Sequence, residues 1–134
     1  MTLAELRTDV VILTCAISAG IHGALVGDHF GEGAGSRIGF VVATVLLAAL
    51  AVALTRRPTQ LVLAGAALVF AGLLASYALA LTTGLPVIHP EREALDGLAL
   101  FTKAIEAIGL VTAATLLRRP SLAVVLFEPK GTPT

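Results

Sequence analysis

Apolar residues fill four long stretches of the chain, and most polar and charged residues collect between them. The stretches are Val10–Val26, Ile38–Leu54, Leu61–Leu81 and Leu98–Leu117. A bilayer hydrocarbon core about 30 Å thick needs roughly 17–25 apolar residues per helical span, and all four stretches are long enough. The pattern predicts an all-α fold, a polytopic membrane four-helix bundle forming a single integral membrane domain over residues 1–134.

The composition supports the same class of protein. Hydrophobic residues make up 57% of the chain and charged residues only 13%, which is too apolar for an ordinary soluble domain. The formal net charge is zero, so no basic field would attract nucleic acid. The partners we expect are the lipid bilayer and either further copies of the chain or a larger membrane complex. The preference for Arg over Lys and the abundant Ala are typical of a GC-rich bacterial genome.

Basic residues indicate how the bundle lies in the membrane. Arg7 precedes the first stretch, Arg56 and Arg57 follow the second, and Arg118 and Arg119 follow the fourth. In a four-span protein these three places fall on one side, and excess Lys and Arg mark the cytoplasmic side. We therefore expect a multi-pass protein of the cytoplasmic (inner) membrane with both termini cytoplasmic.

Small residues recur at helical spacing in two of the stretches. Without a hydrophobic drive between helices in lipid, small side chains allow close backbone approach. We therefore expect two contact stripes between helices, made by Ala16, Gly20, Gly23 and Gly27 in the first stretch and by Gly72, Ser76 and Ala80 in the third.

A few ionisable residues lie inside the apolar stretches. Each costs at least ~2.5–3.5 kcal/mol on insertion scales and so should face protein or water. Counting from the predicted ends of the spans places five polar residues at similar depth, in the outer half of the bundle: Ser18, His22, Tyr77, Lys103 and Glu106. Lys103 and Glu106 form a structural ion pair in one interpretation. In the other, Glu106 carries protons or binds a ligand, with His22 as its partner.

A second group of ligating residues surrounds the outer loops. His22 and His29 are two helical turns apart, Glu32 follows, and the last loop supplies His89 and Glu91. Imidazole and carboxylate groups suit a borderline metal such as copper or zinc, although no fixed-spacing motif is present. A haem bound by His22 and His89 is an alternative, and simply solvated loop residues are another.

The same residues carry a resemblance to a known group of proteins. They are His22, Asp28-His29, Glu32, the Gly84-Leu85-Pro86 segment with His89-Pro90-Glu91, Asp96, and the Lys103–Glu106 segment. With these the chain resembles small uncharacterised four-span membrane proteins of high-GC, actinobacterial-type bacteria. The resemblance covers most of the chain and implies the four-span topology and these site residues, but no activity.

Three functional interpretations remain open from the sequence. The first is a membrane protein with an outward-facing His/carboxylate site in a transition-metal-binding or accessory role. The second is a proton-coupled transporter or relay subunit that uses Glu106 and His22. The third is a structural subunit of a larger complex. We do not expect an enzyme, because no Ser/His/Asp or Cys/His arrangement has a credible order for nucleophilic chemistry.

The orientation can be tested with single cysteines. In a Cys15→Ala background, an impermeant maleimide applied to intact cells should label a cysteine at Ser36 and leave one at Thr59 unlabelled, because the positive-inside rule places only residue 36 outside. Permeabilised cells, in which both positions should react, provide the control. Labelling at residue 59 alone would reverse the assigned orientation.

Overall fold

The structure is a computed structural model, and four helices account for nearly all of the residues that it describes. Residues 1–28, 34–83 and 96–118 are described. The helices are α1 (Leu3–Asp28), α2 (Ala34–Arg56), α3 (Gln60–Thr82) and α4 (Gly97–Leu117). Each is long and apolar enough to cross a membrane. The four predicted stretches each fall within one helix, so the prediction of four membrane-spanning helices is confirmed at the level of length and composition.

The helices form an antiparallel bundle. α1 packs against α2 and α4, and α3 packs against the same two neighbours. The turn between α2 and α3 is only Arg57–Thr59 long. Two ends can be defined: the Arg56 end, where α1 begins and α4 ends, and the Gly97 end, where α1 ends and α4 begins. Every helix therefore runs from one end to the other.

Side-chain caps set where three of the helices begin. At α1 the backbone N–H of Thr2 donates to Glu5 Oε2 at 2.6 Å, and that of Glu5 donates to Thr2 Oγ1 at 3.2 Å. This reciprocal capping box satisfies two of the orphan donors of a helix start, and it explains why α1 begins seven residues before the predicted apolar span. Thr59 caps α3 and Asp96 caps α4 in the same general way.

The distribution of apolar side chains fits a lipid environment. The buried core is a narrow column that includes Val11, Cys15 and Phe70, each 0% exposed. Large apolar residues also cover the outer surface: Leu68 is 74% exposed and Val111 is 63% exposed. A soluble protein rarely exposes apolar surface on this scale, whereas lipid solvates it.

The predicted contact stripes of small residues are largely wrong. A β-carbon added at Gly20, Gly27 or Gly72 would meet no atom within 4 Å, and Ser76 is exposed. Only Gly23, next to Thr44, and the buried Ala80 face other parts of the bundle. Small side chains are tolerated equally well facing lipid, so their spacing alone does not identify a contact.

The close helix approach occurs instead at Gly109 of α4. A β-carbon there would lie 2.5 and 2.6 Å from ring atoms Cε2 and Cζ of Phe70, and 2.7 Å from Oγ1 of Thr14. No real side chain tolerates such distances. Glycine at 109 therefore lets the α3 aromatic ring and the α1 hydroxyl pack directly against the α4 backbone.

We predict that Gly109→Ala destabilises the bundle. The added methyl overpacks a filled site, which typically costs about 1–3 kcal/mol. Gly72→Ala is the matched control, because its methyl group would meet no neighbouring atom. Replacing glycine by alanine also lowers the conformational entropy of the unfolded chain, which stabilises the folded state slightly. Unfolding of both variants in detergent micelles measures the difference. Equal stability of the two variants would contradict the close packing at Gly109.

Candidate functional site

Glu106 is the most fully enclosed of the acidic and basic residues that the structure describes. It is 0% exposed and lies nine residues after Gly97, so about 14 Å along the α4 axis at 1.5 Å per residue. A helix of this length spans about 30 Å, so Glu106 is near its middle. A buried charge at this depth is costly unless it is paired and hydrogen-bonded.

Three donors surround the carboxylate and use both of its oxygens. Ser18 Oγ donates to Oε1 at 2.9 Å, and Nε2 of His22 lies 2.9 Å from the same oxygen. Lys103 Nζ donates to Oε2 at 2.5 Å. Two donors come from α1 and one from α4 itself, so the carboxylate joins two helices while its charge is balanced within its own helix.

His22 has one ring nitrogen in use and one vacant. Because an ionised carboxylate only accepts hydrogen bonds, Nε2 carries the hydrogen that points to Glu106. The other nitrogen, Nδ1, is buried and has no hydrogen-bond partner among the described residues. The ring is tilted against that of Phe40 on α2, with centroids 5.7 Å apart. The imidazole therefore presents a free basic atom within the bundle.

Lys103 connects the carboxylate to α3. Its ammonium lies 5.4 Å from the centroid of the Tyr77 ring, within the range of a cation–π contact. Its side chain is 15% exposed, against 0% for Glu106. With Lys103 protonated and Glu106 ionised, the pair is neutral overall, which suits an apolar surrounding.

The structure brings together the five residues of the predicted polar cluster. We call Ser18, His22, Tyr77, Lys103 and Glu106 the Glu106 cluster. Sequence reasoning missed Phe40, which supports the His22 ring. The signal was available: His22 lies six residues before the end of α1, and Phe40 lies six residues after the start of α2. In an antiparallel pair this places them at the same depth.

The predicted metal site falls mostly outside the described residues. His29, Glu32, His89 and Glu91 all lie there, and His22 is the one proposed ligand that the structure describes. Within residues 1–28, 34–83 and 96–118, no group of three His, Cys, Asp or Glu could hold a metal. Copper or zinc binding, and haem bound by His22 and His89, therefore stay predictions.

Comparisons with protein-family models, curated proteins and solved structures find no match for this chain. The chemistry open to the Glu106 cluster therefore follows from its own atoms. A carboxylate 2.9 Å from an imidazole is within reach for direct proton transfer. Because Lys103 already neutralises the carboxylate, the pair has no net negative charge to attract a metal cation, whereas Nδ1 of His22 still has a lone pair that can accept a proton.

We predict that Glu106→Leu destabilises the bundle by about 3 kcal/mol, because it leaves a partly buried ammonium and two further donors without their acceptor. The double variant Glu106→Leu/Lys103→Met should recover most of this loss, since it replaces both charges with apolar groups of similar size. Unfolding in detergent micelles measures both. A double variant as unstable as the single one would contradict the pairing.

Proposed function

We propose that this chain is a proton-relay or proton-coupled subunit of the cytoplasmic membrane, with Glu106 and His22 as the groups that carry the proton. The observation that carries this proposal is the buried Glu106–His22 contact with a vacant Nδ1 on the far side of the ring. Placement of the Arg56 end in the cytoplasm and the Gly97 end outside is part of the proposal. It is supported by the basic residues Arg7, Arg56 and Arg57 at one end.

The relay begins with Glu106 ionised and His22 neutral, with its hydrogen on Nε2. A proton arriving at Nδ1 produces the imidazolium. The Nε2 proton then passes across the 2.9 Å contact to Oε1 of Glu106, leaving a neutral imidazole with its hydrogen on Nδ1 and a neutral carboxylic acid. The acid then gives its proton to water that reaches it from the Arg56 end, which restores the carboxylate. The cycle closes when the imidazole turns away from Glu106, gives the Nδ1 proton to water and takes up one proton on Nε2. The net result is one proton moved across the cluster.

Ser18 and Lys103 hold the relay in place. The Ser18 hydroxyl donates to the same oxygen that receives the proton, so it orients that oxygen toward the imidazole. Lys103 binds the other oxygen and prevents the carboxylate from rotating away. A purely structural ion pair needs only Lys103 and Glu106, and the presence of a half-used imidazole favours the relay over the structural interpretation.

A transition-metal-binding or accessory role at the Gly97 end is the second proposal. One observation favours it. His22 is the innermost ligand of the predicted site, and its Nδ1 has no hydrogen-bond partner and could bind a metal. Nε2 is already occupied by Glu106, and a carboxylate on the second nitrogen is the arrangement that orients many metal-bound histidines.

The relay predicts a measurable proton flux that depends on the carboxylate. The protein is placed in liposomes that contain a pH-sensitive dye, and valinomycin with a potassium gradient sets the membrane potential. The lumen should then become more acidic when the potential is negative inside and more alkaline when it is positive inside. Glu106→Gln should remove this flux, because the amide keeps the shape but cannot exchange a proton. Thr112→Val changes a half-buried α4 residue that is bonded to its own helix, and this variant should retain the flux. Wild-type flux no greater than that of empty liposomes would contradict the relay.

The metal proposal predicts bound copper or zinc in untagged purified protein. His29→Ala and His89→Ala should each reduce the metal content measured by elemental analysis, and Glu93→Ala should change it less. Binding should weaken as pH falls, because a ligating histidine must be neutral. Protein without stoichiometric metal, even after incubation with zinc and desalting, would exclude this site.

A further inference from the structure

A second polar region lies at the opposite end of the bundle from the exposed part of the Glu106 cluster. A cleft of about 490 Å³ opens at the Arg56 end between all four helices. Glu5, Thr8 and Asp9 contribute polar atoms to its wall, and Leu63 and Leu116 lie at its base. Both of these leucines are buried, so water entering the cleft meets an apolar floor.

A layer of buried side chains fills the space between this floor and Glu106. Phe70 is 0% exposed, and it packs against Gly109, three residues beyond Glu106 on the same helix. Thr14 reaches the same point from α1, but its hydroxyl donates to Val11 O of its own helix. Ala66 and Ala113, both 0% exposed, lie one helical turn further toward the cleft.

We propose that the Phe70 ring, packed on Gly109, is the seal that closes the Glu106 cluster from the Arg56 end. The physiological meaning of this seal rests on the proposed relay, but its existence does not. A proton crosses protein along polar groups or water, and an apolar constriction that excludes water blocks it. Exchange with Glu106 is then confined to the Gly97 end, toward which His22 and Lys103 lie, until the ring moves.

The position of the ring is set by the missing side chain at 109. Any β-carbon there would occupy the space of Cε2 and Cζ of Phe70. The ring therefore lies directly on the α4 backbone at this point. Phe70 is thus a positioning residue that controls access to the relay, and it does not itself exchange a proton.

The chain contains its own reporter of this seal. Cys15 is the only cysteine, it is 0% exposed, and it belongs to the same buried cluster as Phe70. A thiol reacts only where the reagent and water reach it. In liposomes, modification of Cys15 by N-ethylmaleimide should be slow in the wild type and faster as the side chain at 70 shrinks through Leu, Val and Ala.

We expect Phe70→Ala to react at least roughly tenfold faster than the wild type, and Phe70→Leu, which still fills most of the space, to react nearly as slowly as the wild type. The valine variant covers the case in which Phe70→Ala does not fold, as judged by its helical circular dichroism. Rates that do not change along the series of folded variants would overturn the seal.

Proton flux in the same liposomes separates this inference from the relay. If both hold, Phe70→Ala raises the flux above wild type, and adding Glu106→Gln removes the increase. If the wild type and Phe70→Ala carry no flux while Cys15 still becomes reactive, the relay fails and the seal stands. If the wild type carries flux but neither Cys15 reactivity nor flux responds to residue 70, the seal fails and the relay stands.

Discussion

The structure depends on how a single carboxylate is accommodated inside an apolar bundle. Glu106 has no access to solvent, so both oxygens must find donors within the protein. Ser18 and His22 supply them from α1, and Lys103 supplies them from α4. Because Ser18 and His22 are about one turn apart on α1, a shift of about 5.4 Å would leave only one of them opposite the carboxylate, so the two contacts together favour the observed axial register of α1 against α4.

Other polar side chains of the bundle place few demands on its packing. Thr44, Thr55 and Thr102 each donate to a carbonyl four residues earlier in the same helix. Their hydroxyl hydrogens are thus satisfied locally, whichever way the helix faces. The carboxylate cannot be satisfied in this way, because the backbone N–H groups in the middle of a helix already donate to carbonyls of the same helix. This is why polarity between helices concentrates at one point.

The sequence predicted the helices well, because the length needed to cross lipid is a strong constraint on apolar stretches. It missed the first turns of α1, where Thr2 and Glu5 extend a helix that hydropathy alone does not detect. The spacing of small residues also indicated glycines that do not lie at contacts between helices. Gly20 and Gly109 look alike in a sequence, and only the placement of Phe70 on a different helix distinguishes lipid-facing from contact positions.

The Glu106 cluster was predictable for a related reason: an ionisable residue in an apolar span is conspicuous, and counting residues from the span ends gives its depth. Rotation about each helix axis is not given by such counting. Counting also places Phe40 at the depth of His22, but the contact between the two rings and the vacant Nδ1 depend on that rotation and on side-chain rotamers, so only the structure shows them.

The three-residue spacing of Lys103 and Glu106 also bears on how the protein is made. A helix leaving the insertion machinery meets lipid before it meets its neighbours. A lone charge would raise the free energy of its insertion by about 2.5–3.5 kcal/mol. α4 brings its own counter-ion on the same face, so it can partition as a neutral segment. When α4 packs against α1, Ser18 and His22 join the Lys103–Glu106 pair in one hydrogen-bonded group. These added bonds stabilise the inserted helix in its packed position.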